Sequence, residues 1–145
     1  MSLNRVTDVG ASNNSPCIAV SGAGNLVSRN AAVRCAGAGF YLRGNDNVVE
    51  YNTAMSTLEN GFTVDGRNPA GGLFAGTRLS LNKASFAVGQ GFAVINGADR
   101  TVLTGNVGNG SFVDFCDDGT ATSLPADNTF ATVSAYCRIS HGLPG

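Results

Sequence analysis

The side chains of this chain best suited to chemistry fall in three places. The segment VDFCDDG at 113–119 carries Asp114, Asp117 and Asp118, and Asp127 follows, so four of the ten acids crowd into one short stretch. Clustered carboxylates can act as general acid and base on a glycosidic bond, or supply oxygen ligands to calcium. The single histidine, His141, stands beyond them in the C-terminal tail, so Asp117, Asp118 and His141 form the candidate catalytic group. A second place is the pair Arg43 and Asp65, with Tyr41 just before the arginine. An arginine and a carboxylate can orient a sugar carboxylate or hydroxyl, although on a solvated face they also make an ordinary cross-strand ion pair. The third is GRNPAGGLFAGT at 66–77, which holds Arg67, Asn68, Leu73 and Phe74 between glycines. It reads as a surface loop or as a lid that contacts ligand. Tyr41, Arg43, Asp65, Arg67 and Phe74 are the candidate substrate-binding residues.

The elements that position these residues follow from a repeat. GFYLRG at 39–44, GFTVDG at 61–66 and GFAVING at 91–97 share Gly-Phe-x-aliphatic, and each follows an asparagine at a constant offset. Extended, the markers are Asp8, Asn30, Asn52, Asn82, Asn106 and Asn128, at intervals of 22, 22, 30, 24 and 22. Apolar residues recur three before the marker (Val27, Val49, Leu79, Leu103), two after it (Ala32, Ala54, Ala84) and six after it (Ala36, Leu58, Val88, Phe112). The pairs Phe40/Leu42, Phe62/Val64 and Phe92/Val94 alternate with other residues, which is the period of a strand. The intervening segments are too short and too rich in Gly and Asn for helices.

A coil as long as the common interval, with three short strands and three corners, satisfies this spacing. One coil cannot bury its own apolar face, but coils stacked at about 4.8 Å pair their backbones and align like side chains in columns. We therefore expect an all-β, right-handed parallel β-helix of about five to six coils. It forms one domain over 1–145, with an irregular N-terminal cap at 1–16, coils at 17–130 and a tail at 131–145. Asparagines at an inward corner can bond along their column and to turn backbone. Asn30, Asn52, Asn82, Asn106 and Asn128 thus read as a structural ladder, with Asp8 at its end. The excess length of the third coil becomes the 66–77 loop. Register makes Arg43 and Asp65 neighbours on adjacent strands, and it sets His141 about one coil beyond Asp118, where the two could stack.

The unit NVVEYNTAMSTLENGFTV resembles the generic coil of the pectin-lyase-like right-handed β-helix superfamily, over residues 8 to about 130. The resemblance implies a carbohydrate substrate class and selects no reaction. In lyases of that superfamily an arginine is the base and aspartates hold calcium on a comparable face; here Arg43 and Asp65 match. The DD…HG arrangement is similar to that of polygalacturonase-type glycoside hydrolases, which pair two aspartates with Gly-His-Gly on the next coil. Ser140 stands in place of the first of those glycines, and INGAD at 95–99 lacks their Asn-Thr-Asp.

Composition narrows the partners. The net charge is −1, with one lysine and eight scattered arginines that make no basic stripe, so nucleic acid and membrane are not expected partners. No apolar run is long enough for a membrane span. Residues 1–15 lack the features of a signal peptide, and a secreted or cell-surface location is favoured if a leader has been removed. No CxxC pair suggests zinc, no metal site is assigned, and calcium is the one ion the carboxylates would suit. Cys116 and Cys137 are separated by close to one repeat and read as neighbours on adjacent coils, bridged or as thiols. Cys17 and Cys35 are nearer to each other along the chain and fit a stack less well.

Three functions follow as expectations: a carbohydrate-associated β-helix that binds or processes a polysaccharide or oligosaccharide, a non-catalytic structural or adhesive module of a homo-oligomer or larger assembly, and a small polygalacturonase-like hydrolase.

Overall fold

In the computed structural model, which describes residues 4–7 and 14–137, the chain winds into a right-handed parallel β-helix of about five turns. No helix occurs among the described residues. After β1 (Arg5–Thr7), the first coil runs through β2 (Ile18–Ser21), β3 (Leu26–Ser28) and β4 (Ala31–Val33). The second uses β5 (Phe40–Arg43), β6 (Val48–Glu50) and β7 (Thr53–Met55). The third uses β8 (Phe62–Asp65), β9 (Arg78–Ser80) and β10 (Lys83–Ser85), and the fourth β11 (Gln90–Ile95), β12 (Val102–Thr104) and β13 (Val107–Asn109). The last described turns hold β14 (Val113–Asp117), β15 (Thr129–Phe130) and β16 (Val133–Ser134).

These strands stack into three parallel sheets, one per face. The Gly-Phe face has the order β16-β14-β11-β8-β5-β2, the asparagine face β1-β4-β7-β10-β13-β15, and the third face β12-β9-β6-β3. The register is the one the repeat spacing requires: Ile18 pairs Phe40, Phe40 pairs Phe62, and Phe62 pairs Phe92. Two regions expected to lie outside the coils, the cap and the tail, contribute strands. β1 pairs β4 in the N-terminal segment, and β16 pairs β14 beyond residue 130.

The core follows from the columns. Phe40, Phe62 and Phe92 stack with ring centroids 4.6 and 4.8 Å apart and planes 4° apart, a separation set by the distance between coils. The glycine before each phenylalanine is required by contact: a Cβ on Gly39 would lie 2.7 Å from the Gly61 carbonyl oxygen, and one on Gly61 2.6 Å from that of Gly91. Val27, Val49, Leu79 and Leu103 fill the opposite wall. The position six after the marker behaves otherwise. Ala36 is buried there, but Leu58, Val88 and Phe112 are exposed, because that corner turns them outward.

The asparagine corner is satisfied by its own side chains. The Oδ1 of Asn52 accepts from the backbone N–H of Asn30 at 2.8 Å and from its Nδ2 at 3.1 Å. Asn52 donates in turn to Asn82, Asn82 to Asn106, and Asn106 to Asn128, at 3.0 to 3.1 Å. The second amide hydrogen of Asn52 goes to the Val27 carbonyl, and that of Asn82 to the Val49 carbonyl. At the N-terminal end the donor to Asn30 is Asn4, not Asp8, since β1 sets Arg5 opposite Ala31; Asp8 lies outside the described residues. The corners at Asn30, Asn52, Asn82 and Asn106 are turned by the preceding residue in a left-handed conformation, as at Tyr51 (φ 57°) and Leu81 (φ 56°).

Both cysteine pairs are disulfides, Cys17–Cys35 with Cα atoms 5.5 Å apart and Cys116–Cys137 with Cα atoms 5.0 Å apart. Cys17 and Cys35 are bridged although, as their spacing indicates, they do not stack. They do not share a column. Cys17 stands just before β2, Cys35 sits at the corner after β4, and the bridge closes one turn on itself, which takes a separation of 18 rather than a full repeat.

Candidate functional site

The excursion at 66–77 leaves the stack after β8 and folds on itself. Arg67 bridges Leu73 in antiparallel fashion, and the Phe74 N–H donates to the Gly66 carbonyl. Asn68 shapes the tip, its Oδ1 accepting from Ala70 N–H and its carbonyl from Gly71 N–H. The chain rejoins the stack at Ala75, which pairs with Asp99 and donates to the side chain of Asn45.

At the root of this loop lies Asp65, whose side chain is wholly buried. A carboxylate in that position must be satisfied. Its Oδ2 accepts from the Tyr41 hydroxyl and from Arg67 Nε and Nη2 at 3.2 and 3.0 Å. Its Oδ1 accepts from the Arg67 backbone N–H and from Asn96 Nδ2, both at 2.9 Å. Burial works against ionisation here, but the hydrogen bonds from Tyr41, Arg67 and Asn96 outweigh it and hold the Asp65 carboxyl below its usual range. Burial, followed by the bond to Asp65, pushes the Tyr41 hydroxyl above its ordinary value.

Arg43 is on the strand beside Asp65, yet the ion pair made by Asp65 is with Arg67. This corrects the expected cross-strand pair: the loop brings Arg67 over the carboxylate first. Arg43 instead donates Nη2 to the Arg67 carbonyl at 3.2 Å and lays its guanidinium 5.9 Å from the centre of the Phe74 ring. All five residues expected to bind substrate are therefore linked by contacts. Beside them opens a shallow groove of about 580 Å³, lined by Arg43, Arg67, Asn68, Leu73 and Asn96 with Pro69 and Gly72. Asn96 was missed by the repeat count. It stands one residue beyond Ile95, the register partner of Asp65, and that register was the signal for it.

The acidic segment is used differently. Asp114 is buried, and its side chain accepts from the N–H groups of Ala131 and Thr132 at 2.9 and 3.2 Å, which closes the last turn. Asp117 caps a local turn through Gly119 N–H and the Thr122 hydroxyl, and Asp118 accepts from Cys137 N–H at 3.1 Å. His141 lies outside the described residues. No group of three or more His, Cys, Asp or Glu side chains among the described residues is arranged to hold a metal ion.

Fold and site together define a β-solenoid with a polar groove at a corner loop. Comparison with protein-family models, curated proteins and solved structures finds no match to the chain.

Proposed function

We propose that the chain is a carbohydrate-associated β-helix that binds a polysaccharide or oligosaccharide in the groove beside the 66–77 loop. One observation carries the reading: Arg43, Arg67, Asn68 and Asn96 converge on the open groove with Phe74 beside them. Guanidinium and amide groups offer flat, paired donors that suit vicinal hydroxyls or a sugar carboxylate. A few convergent polar groups beside apolar surface are the usual make-up of a small-molecule site. Asp65 already accepts from Tyr41, Arg67 and Asn96, so it positions Arg67 and has no lone pair to spare as a base. That favours binding over bond cleavage. It also supports the second reading, a non-catalytic adhesive module. Two disulfides favour a secreted or cell-surface setting.

The test is a glycan array run with and without calcium, followed by calorimetry on the best neutral and acidic oligosaccharides. Arg43→Ala and Phe74→Ala should each weaken binding at least tenfold while the protein stays folded. Binding that survives both substitutions places the ligand elsewhere, and binding to no glycan ends the proposal.

A further inference from the structure

The asparagine face carries an unusual concentration of exposed apolar surface for a chain with so few charges. On one rim, at the corner before each asparagine, stand Tyr51 and Leu81; in the middle are Met55 and Val107. On the other rim are Leu58, Phe86, Val88 and Phe112. Each leaves 37 to 60% of itself open. The rims are columns: Tyr51 N–H donates to Ser80 and Leu81 N–H to Thr104, while Phe86 reaches over Gly110 of the next coil. The strands between them, β4, β7, β10 and β13, bear a single charge, Lys83. At about half of 150–200 Å² per side chain, the surface amounts to about 700 Å², above what a monomer ordinarily leaves in one patch.

We infer that this face is where a second copy of the chain packs, antiparallel, about a two-fold axis crossing the third coil. Area and charge both point to that occupant. A two-fold pairing doubles the area to on the order of 1,400 Å², the size of a stable, specific interface. Such an axis sets each rim against the same rim of the partner with its direction reversed. Leu58 then meets Phe112, and Val88 meets its own equivalent. One pair of charges at the ends of a rim adds to the match. The Tyr51–Leu81 column begins at Arg29, whose guanidinium lies 5.0 Å from the centre of the Tyr51 ring. It ends beside Gly105 at Asp127, a carboxylate oxygen of which lies 4.0 Å from where a Cβ on Gly105 would stand. Reversal puts Arg29 of each copy against Asp127 of the other. Lys83 is unfavourable there; its stem lies on the face and its ammonium must reach the edge. The groove at the 66–77 loop opens from a different corner and stays accessible in both copies.

Sedimentation equilibrium over micromolar to millimolar concentrations tests this. We expect a species of twice the 14.7 kDa chain mass. Val88→Asp should weaken association at least tenfold while leaving the melting temperature of the dilute monomer unchanged, since Val88 is 54% exposed. Lys83→Met should tighten it. Arg29→Glu and Asp127→Arg should each weaken it severalfold, and the two together should restore it. A monomer at every concentration overturns the inference and leaves the face to another partner. Association that Val88→Asp does not touch, or that the paired charge exchange does not restore, overturns it as well.

Discussion

Replacing Asp65 by asparagine keeps the shape of the side chain and removes its charge. The amide still offers one oxygen, but its NH₂ points donors at the donors of Arg67 or Asn96. Hydrogen bonds to a charged group contribute about 1.5–3 kcal/mol each, and losing one partner of a buried pair costs about 3–5 kcal/mol. The Arg67 side chain is half exposed, which lowers its share through solvent screening. We expect a net loss of about 3 kcal/mol, seen as a drop of about 1–3 M in the urea midpoint at neutral pH. The pH dependence separates charge from packing. The folded Asp65 carboxyl lies below its ordinary value, so its contribution is full above the unfolded pKa near 4 and is lost as pH falls through the lower folded value. The gap between native protein and variant should therefore close in strong acid, where both carry a neutral group. A gap that is absent at neutral pH, or that persists undiminished in acid, would refute the account of Asp65 as an ionised acceptor holding the loop. Tyr41 works at the other end of the scale. Its raised pKa means stability is lost as pH climbs past about 10.

Asn52→Ala should cost about 2–4 kcal/mol in chemical unfolding, because it strands the Asn30 N–H and the Val27 carbonyl in the core. Replacing Cys17 and Cys35 together by serine opens the loop they close and should cost about 3 kcal/mol, measured by unfolding with and without reductant. Ser56 holds a left-handed conformation, φ 56°, at a corner where Gly110 occupies the same place two coils on. Ser56→Gly should therefore stabilise by about 1 kcal/mol, raising the melting temperature by about 2–4 °C.

The fold was legible because its period is strict on the inside. Phe40, Phe62 and Phe92 must coincide in register for their rings to stack, and the asparagines must coincide for their amides to meet, so both columns leave an arithmetic trace. The outer surface obeys no such constraint. Leu58, Val88 and Phe112 recur at the right interval yet face solvent, because interval alone does not say which way a corner residue points. The disulfides were partly hidden for a related reason, since a bridge around a turn leaves no interval of one full repeat. The site was half visible. Register put Tyr41, Arg43 and Asp65 on one face, but the partner of Asp65 was decided by the return of the loop at Arg67, which no periodicity encodes.

The positions of the two bridges change how the molecule comes apart. A stack held by contacts between neighbouring coils behaves as a one-dimensional chain, and such chains fray from their ends. Here Cys17–Cys35 makes the first coil a covalent ring, and Cys116–Cys137 does the same for the last described one. These two coils are hooped like a cask, and the staves between them are not. Breathing is thereby moved inward, to the third coil, where the chain leaves the stack between Asp65 and Ala75. The softest part of the molecule is then the wall of its own groove.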